Sequence, residues 1–273
     1  MVPNQEIAEL LRWYVAMGID EAIGDTPQDR FAAPPPRPAA EAAAAVAVAA
    51  PDAPPRPTMA APIPAAVLPI SNNVASARRL AEEATTLEEL EAIVAAFDGC
   101  ALRRTATNTV FADGTPHAPV LMIGEAPGAD EDRVGKPFVG RSGQLLDRML
   151  AAIGLDRQRD TYITNILFWR PPGNRKPTDD EVAACLPFVM RIIALSKPRF
   201  VVLCGGTATS AVLGRREGIT KLRGRWFDLA VPGLDQPIPV LTTYHPSFLL
   251  RTPGRKSESW RDFLEIQSKL LSK

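Results

Sequence analysis

Four apolar segments, separated by amphipathic ones, constrain the fold of this chain more than any other feature of its sequence. They are PVLMIGEAP (119–127), TYITNIL (161–167), RFVVLCGG (199–206) and PVLTTYHP (239–246). Short apolar runs that end in glycine or polar residues are typical of strands buried on both faces of a parallel sheet. Segments with helical spacing lie between and after them, at 142–155, 179–196, 207–213 and 258–272. This alternation predicts a three-layer α/β/α sandwich around a central, mainly parallel four-stranded sheet.

The N-terminal part of the chain has a different composition. Residues 31–70 contain 16 Ala and 11 Pro, and such a segment cannot bury enough varied apolar surface to offset its ordering entropy. We therefore expect four parts in chain order: an amphipathic helix at 1–24, a disordered Ala/Pro-rich linker at 25–72, a helical lead-in at 73–97 and an α/β domain at 98–273.

The first of these parts carries apolar residues at helical spacing, namely Ile7, Leu10, Leu11, Tyr14 and Val15. A short amphipathic helix on a long tether is typical of a segment that docks on a partner protein. The alternative, that the helix packs on its own domain, stays open because the tether is long enough for both.

The net charge of zero hides two opposed halves. Residues 1–97 carry 6 basic and 13 acidic residues, whereas residues 98–273 carry 25 basic and 18 acidic ones. The α/β domain therefore has a net charge of +7, which suits a surface that binds a polyanion.

Three cysteines are too few and too scattered for a disulfide scaffold, so we expect a reducing, cytoplasmic location. The N-terminus lacks the basic and apolar regions of a signal peptide. No stretch approaches 18 apolar residues without charge, so we expect no contact with a membrane.

Ligands of such sheets bind at the carboxyl ends of the strands. Here the loop 124–143 follows the first strand and contains five Gly and four carboxylates. Glycines let backbone approach a ligand closely, and the carboxylates could activate water or stabilise a developing cation. A solvated acidic loop that caps the next helix remains the alternative.

Two further strand ends carry polar side chains. The amide of Asn165 offers a donor and an acceptor, which matches the edge of a pyrimidine, although an Asn in a turn is the simpler reading. His245 could stabilise a leaving anion or bind a carbonyl oxygen. The segment after it places Phe248 and two leucines beside cations, as a protein needs to separate stacked bases and bind phosphates. Alternatively, the leucines begin a buried helix.

Five segments resemble, in this order, the motifs of the uracil-DNA glycosylase superfamily: GEAPGADEDRVGKPFVGRSGQLL, YITN, RPPGNR, the Gly-Gly strand end and HPSFLLR. They are most similar to its family-4 branch of bacteria and archaea, over residues 98–273. The resemblance implies a monofunctional enzyme of base-excision repair, here a bacterial monomer that acts on uracil in double- or single-stranded DNA. It would hydrolyse the N-glycosidic bond of a flipped-out deoxyuridine and give free uracil and an abasic site.

The resemblance also implies roles for individual residues. Glu125, Ala126 and Gly128 would contact the flipped uracil and its sugar. Phe138 would stack on the uracil ring, Asn165 would bind its polar edge, and His245 would stabilise the departing anion. A carboxylate would orient water, with Glu131 as the first choice and Glu125 and Asp132 next. The DNA-binding residues would be Ser247, Leu249, Leu250, Arg251, Arg255 and Lys256, of which 249–251 would enter the minor groove.

The chain departs from the resemblance at one group of positions. Family-4 enzymes hold a [4Fe–4S] cluster with four cysteines, and the matching positions here are Phe97, Cys100, Trp169 and Cys185. Two thiolates do not hold a cubane in the normal way. We therefore expect no cofactor and no metal, with Phe97 and Trp169 filling the space by apolar packing; another metal on the two remaining thiols is a weaker alternative.

Two other functions remain open at this point. A damaged-DNA-binding module of the same fold, without turnover, is consistent with the missing cysteines. A dinucleotide-binding protein is disfavoured, because CGGTATSAVLG lacks the G-x-G-x-x-G pattern.

Overall fold

Residues 72–271 are described by a computed structural model of the chain. The helix expected at 1–24 and the linker expected at 25–72 lie outside the described residues, except for residue 72 itself. Within 72–271, no helix is both long and apolar enough to cross a membrane.

A mixed sheet forms the centre of this region. Its strands are β1 (Ala112–Gly114), β2 (Val120–Gly124), β3 (Thr161–Asn165), β4 (Phe200–Cys204), β5 (Trp226–Leu229) and β6 (Ile238–Thr243). They lie in the order β1-β3-β2-β4-β6-β5. The four inner strands run parallel, as the four apolar segments predict. The two outer strands pair antiparallel with β3 and β6.

The sheet thus has six strands rather than the four expected. The two additional strands have three and four residues, and most of their side chains are partly exposed. Edge strands this short carry too few residues for a hydrophobic pattern to be recognised in the sequence. The expected α/β class with a mainly parallel sheet is confirmed.

Ten α-helices surround the sheet in the described residues. They are α1 (Asn72–Glu83), α2 (Leu87–Ala96), α3 (Ala129–Val134), α4 (Arg141–Ala152), α5 (Arg157–Asp160), α6 (Asp179–Ser196), α7 (Gly206–Leu213), α8 (Ile219–Leu222), α9 (Pro246–Arg251) and α10 (Lys256–Leu271). Short 3₁₀ turns lie at Ala101–Arg104, Pro172–Asn174 and Pro253–Arg255.

Side chains of the inner strands alternate between two apolar cores, because successive residues of a strand point to opposite faces. On β2, Leu121 and Ile123 join the core beneath α6, together with residues of α1, α2 and α7. Val120 and Met122 join the core on the other face, with residues of α4 and α10. Both faces of the sheet are therefore covered by helices, which explains why the inner strands are apolar throughout.

The helical lead-in is part of the same packed structure. Ala77 and Ala81 of α1 are buried, and Arg191 of α6 donates two hydrogen bonds to the carbonyl oxygen of Ala84. Thr86 caps α2 and forms a reciprocal capping box with Glu89. The lead-in thus adds its apolar face to the core beneath α6.

Candidate active site

A cavity of about 590 Å³ opens at the carboxyl ends of the parallel strands. Parallel pairing brings these ends together: Gly124 of β2 lies opposite Asn165 of β3, and Cys204 of β4 lies opposite Thr243 of β6. His245 follows β6 by two residues and caps α9. Three distant segments of the chain therefore meet at one edge of the sheet, where such folds bind ligands.

The structure brings together most of the residues singled out in the sequence, but not all of them. Nine line the cavity: Glu125, Ala126, Gly128, Glu131, Phe138, Asn165, His245, Ser247 and Arg251. Five do not: Asp132, Leu249, Leu250, Arg255 and Lys256.

The side chain of Asn165 is buried and has an unsatisfied acceptor. Its Oδ1 atom has no hydrogen-bond partner in the described residues, although leaving a buried polar atom unpaired costs about 1–3 kcal/mol. Gly124 lies directly beside it, and a Cβ atom there would overlap both this oxygen and the ring of Phe138. The cavity therefore offers a preformed acceptor next to an aromatic ring.

Phe138 forms the second wall of this corner. Its ring is buried and stacks on the imidazole of His245, with ring centroids 5.3 Å apart and planes at 23°. Its backbone lies in the left-handed region, with φ of 54°, which costs about 1–2 kcal/mol for a residue with a Cβ atom. The surrounding contacts must hold this conformation in place.

His245 is a neutral imidazole with a defined tautomer. Its Nδ1 atom accepts a hydrogen bond of 3.1 Å from the backbone N–H of Ser247, so the ring proton resides on Nε2. Burial, together with the positive charge of Arg251, lowers the pKa of His245 from its usual value to about 4. Gly205 has φ of 95° and a Cβ atom there would lie 3.0 Å from Cβ of His245. The bare backbone at Gly205 thus gives the histidine room at the strand ends.

Glu125 is the carboxylate most available to a ligand. It is half-buried at the cavity, and its Oε2 atom accepts a hydrogen bond of 2.5 Å from the hydroxyl of Thr207 on α7. That contact fixes one end of the carboxylate and leaves its other oxygen without a protein partner among the hydrogen bonds of the described residues.

Glu131 also borders the cavity, but its oxygens bind the protein itself. Oε2 accepts from the backbone N–H of Gly128, and Oε1 accepts from those of Val139 and Gly140 at 3.0 and 2.9 Å. A buried carboxylate with three backbone donors holds the two ends of the loop together. The geometry therefore gives Glu131 a loop-organising position, and Glu125 becomes the better-placed carboxylate for water.

The expectation for Asp132 is wrong in its placement. Its Oδ1 atom accepts hydrogen bonds from the backbone N–H groups of Thr107 and Asn108, away from the cavity. Neighbouring residues of a helix point in directions about 100° apart, so Glu131 and Asp132 of α3 cannot both face the same ligand.

The expectation that Leu249 enters DNA is also wrong. Leu249 lies on α9, is fully buried and packs with Leu145 and Tyr244. The alternative noted in the sequence, that the leucines begin a buried helix, therefore holds for this residue. Phe248 and Leu250 are only partly buried, and Phe248 lines the cavity. They are the apolar side chains of this segment that remain accessible.

Cations surround the mouth of the cavity. Arg251 of α9 lines it, as do Arg175 and Lys176 of the RPPGNRK segment that follows β3, and Arg175 is paired with Glu181 at 2.6 Å. This segment carries part of the family resemblance, but nothing in the spacing of its cations predicts that they line the cavity. Arg255 and Lys256 are exposed near α9, and Arg255 is paired with Glu258 at 2.5 Å. Positive charge at the rim of the cavity suits a phosphate backbone.

The four positions that match cluster cysteines do not offer four thiolates. The ring of Phe97 packs on Phe188, with centroids 5.0 Å apart, and Trp169 is buried with its Nε1–H donated to Thr109. The two thiols are buried, and their interaction with each other lowers the pKa of Cys100 and, together with burial, raises that of Cys185. Residues 72–271 contain no group of three or more His, Cys, Asp or Glu placed to hold a metal ion. The residues present therefore do not fit a [4Fe–4S] cluster with four cysteine ligands.

Comparisons with known proteins agree with this geometry. Residues 111–265 match the family model described as the uracil DNA glycosylase superfamily. A Type-4 uracil-DNA glycosylase of Thermotoga maritima is 40% identical over 185 residues, which are 66% of this chain and 92% of that protein. One of Pyrobaculum aerophilum is 37% identical over 180 residues, covering 64% of this chain and 90% of that protein. A Type-5 uracil-DNA glycosylase of the latter organism is 31% identical over 156 residues, 52% of this chain and 67% of that protein. The residues that match the family model contain all six strands.

Leu249→Ala should destabilise the protein far more than Leu250→Ala. Removing a fully buried leucine costs about 2–5 kcal/mol, because both apolar contact and packing are lost, whereas Leu250 is partly exposed. The measurement is urea unfolding of both variants, followed by circular dichroism. Equal midpoints for the two variants would contradict the buried position of Leu249.

His245 should stay neutral until the pH falls to about 4. NMR titration of ¹⁵N-labelled histidines measures this directly, and the His117→Gln variant assigns the signals, because the chain has only two histidines. Since the folded pKa is lowered, the unfolded state binds more protons below about pH 6.5. The free energy of unfolding should therefore fall as the pH drops from about 6.5 to about 4, and His245→Gln should remove that part of the decline. A His245 signal that titrates near 6.5 in the folded protein would contradict the assignment.

Proposed function

Because this chain belongs to the uracil-DNA glycosylase superfamily, we propose that it is a monofunctional uracil-DNA glycosylase of base-excision repair. It hydrolyses the N-glycosidic bond of a deoxyuridine flipped out of DNA and releases uracil, leaving an abasic site. In this proposal it acts as a monomer in a bacterial cytoplasm.

The unsatisfied Oδ1 atom of Asn165 carries this proposal. An acceptor buried against an aromatic ring suits a planar ligand that donates an N–H in its own plane. Uracil presents such a donor at N3, where cytosine presents an acceptor. A ligand that pairs with Asn165 and stacks along Phe138 also brings a carbonyl oxygen towards His245.

The reaction breaks the bond between C1′ of the sugar and N1 of uracil, and the electron pair leaves with the base. The departing uracil anion gains charge on its O2 atom, where the Nε2–H of neutral His245 donates a hydrogen bond. A neutral donor is suited to this role because it stabilises the anion without transferring a proton. The lowered pKa of His245 keeps it in that form at cellular pH.

The sugar becomes an oxocarbenium-like cation as the base leaves. We assign Glu125 to its stabilisation and to the orientation of water, because Thr207 fixes one of its oxygens and the other is available at the cavity. Water adds to C1′ and gives up a proton to Glu125, from which the proton passes through solvent to the departed uracil anion, and this completes the hydrolysis. Glu131 supports the same loop by binding three backbone N–H groups. Ala126 and Gly128 then line the path to the sugar.

The rim of the cavity suits the DNA backbone. Arg175, Lys176 and Arg251 can bind phosphates that flank the flipped nucleotide. Ser247 lies at the same edge, and Arg255 and Lys256 extend the basic surface. Phe248 and Leu250 are placed to fill the gap left by the extruded base, a device that lowers the cost of unstacking.

No step in this proposal requires a cofactor. Phe97 and Trp169 fill two of the four ligand positions with packed rings, so we propose that this chain works without the cluster. The two thiols, Cys100 and Cys185, then serve as buried apolar packing.

Purified protein should release uracil from uracil-containing oligonucleotides, and His245→Gln should slow excision by about 10²–10³-fold because it removes a preorganised donor to the anion. His117→Gln is the matched control and should behave as the parent. Single-turnover cleavage of a labelled duplex at abasic sites measures the rate. Tight binding of uracil-containing DNA with no release of uracil would instead favour the non-catalytic DNA-binding alternative.

Protein purified without oxygen should contain no stoichiometric iron or sulfide and no absorbance band near 400 nm. The Cys100→Ala, Cys185→Ala double variant should excise uracil at close to the parental rate, because neither thiol acts in the reaction. Stoichiometric iron in the parent, lost together with activity in the double variant, would overturn the cofactor-free assignment.

A further inference from the structure

The backbone conformation of Phe138 is strained, so other contacts must keep its ring in place. Its φ of 54° is unfavourable for a bulky residue, yet the ring is held flat against His245 and beside Gly124. Such a conformation persists only when neighbouring groups fix it. Among the side chains that line the cavity, Glu131 accepts from the N–H of the next residue, Val139, but none binds the carbonyl oxygen of Phe138 in the described structure.

Arg157 of α5 supplies that contact from outside the cavity. Its Nη1 atom donates a hydrogen bond of 2.9 Å to the carbonyl oxygen of Phe138, and Nη2 donates one of 2.5 Å to that of Pro137. In an extended chain, successive carbonyls point to opposite sides. Two adjacent carbonyls can bind one guanidinium only where the backbone bends between them, as it does at Phe138.

Two carboxylates orient the guanidinium. Nε of Arg157 donates to Asp113 at 2.9 Å, and Nη1 also donates to Asp147 at 3.0 Å. Burial alone would raise the pKa of the Asp113 carboxyl, but its hydrogen bonds with Arg157 and Lys136 hold the pKa below the usual value. Arg157 is 12% exposed and Asp113 is 8% exposed, so both charges are retained in a largely dry position and the pair has little freedom to rotate.

The opposite side of the same carbonyl is closed as well. A Cβ atom at Gly143 would overlap the carbonyl group of Phe138, so the first turn of α4 touches it there. The carbonyl of Phe138 is therefore confined between Gly143 and the guanidinium of Arg157. These contacts fix the peptide group that follows the Cα atom from which the ring of Phe138 projects.

We propose that Arg157 is a positioning residue for uracil excision, an inference that rests on the proposed function. Arg157 is absent from the cavity wall and acts through the backbone of Phe138, whose ring it holds ready to stack on the extruded base. A misplaced ring misaligns the base with Asn165 and His245, and small misplacements of a bound reactant cost large factors in rate.

The test compares Arg157→Met with Arg159→Met, a control on the same helix whose arginine is exposed and, within residues 72–271, pairs with Asp160. The single-turnover excision rate should fall on the order of 10- to 100-fold in the first variant and stay unchanged in the second. The dissociation constant for substrate DNA should change less than threefold for Arg157→Met, because Arg157 lies away from the DNA-facing rim. Equal rates in both variants would overturn the proposal.

A double-mutant cycle with Phe138→Leu separates positioning from general stability. If Arg157 acts through the ring, Phe138→Leu should slow the parent strongly and the Arg157→Met variant only slightly. The same fold-loss in both backgrounds would overturn the proposal. Arg157→Lys keeps the charge beside Asp113 but has no planar fork for two carbonyls, so it should recover thermal stability more than rate. Recovery of both to the same extent would point to a structural role alone.

A measurement independent of activity completes the test. 4-Fluorophenylalanine at position 138 should give one ¹⁹F resonance in the parent and in Arg159→Met, and a shifted or divided resonance in Arg157→Met and Arg157→Lys. Identical spectra in all four would overturn the role of Arg157. If the parent releases no uracil, the proposed function fails, while these spectra still decide whether Arg157 holds the ring.

Discussion

The pairing of Gly124 with Asn165 at the last position of the β2–β3 ladder is the constraint on which the site depends. Parallel strands place their carboxyl ends at one edge, and this pair brings a residue without a side chain against a buried amide. The space that Gly124 leaves is taken by the ring of Phe138, which itself lies against His245. A shift of register by one residue would turn Asn165 to the other face of the sheet, and the acceptor would then lie in an apolar core.

The carboxylates of the acidic loop after β2 make different contacts from one another. Glu125 stays at the cavity beside Thr207, Glu131 turns inward to bind three backbone N–H groups, and Asp132 binds the chain at 107–108. Buried carboxylates need such partners because unpaired charge is costly away from water. The carboxylates of the loop thereby fix its conformation. Glu125 keeps one oxygen that the protein does not bind, and this oxygen is available to a ligand.

The sequence was sufficient to predict the inner sheet and nine of the twenty residues that line the cavity, because buried parallel strands are apolar throughout and their ends carry distinctive residues. The sequence did not predict elements whose hydrophobic pattern is very short, or contacts in which one partner is a backbone group. The strand at 112–114 has three residues, and Leu249 lies on a six-residue helix that cannot be told from a loop. The contacts of Arg157 with two carbonyls leave no trace in side-chain spacing, so only coordinates reveal them. Which of Glu125, Glu131 and Asp132 faces the cavity likewise depends on how a short helix turns.

The rings of Phe97 and Trp169 affect how the segments around them assemble. Contacts between Phe97 and Phe188, and between Trp169 and Thr109, form from the chain alone as its apolar surface is buried. A site closed by metal–sulfur bonds waits for inorganic atoms to be delivered and is exposed to oxidants that remove them. In the cofactor-free protein that we propose, apolar side chains join the segments around residues 97 and 169, so their assembly follows the synthesis of the polypeptide and draws on no separate supply of iron.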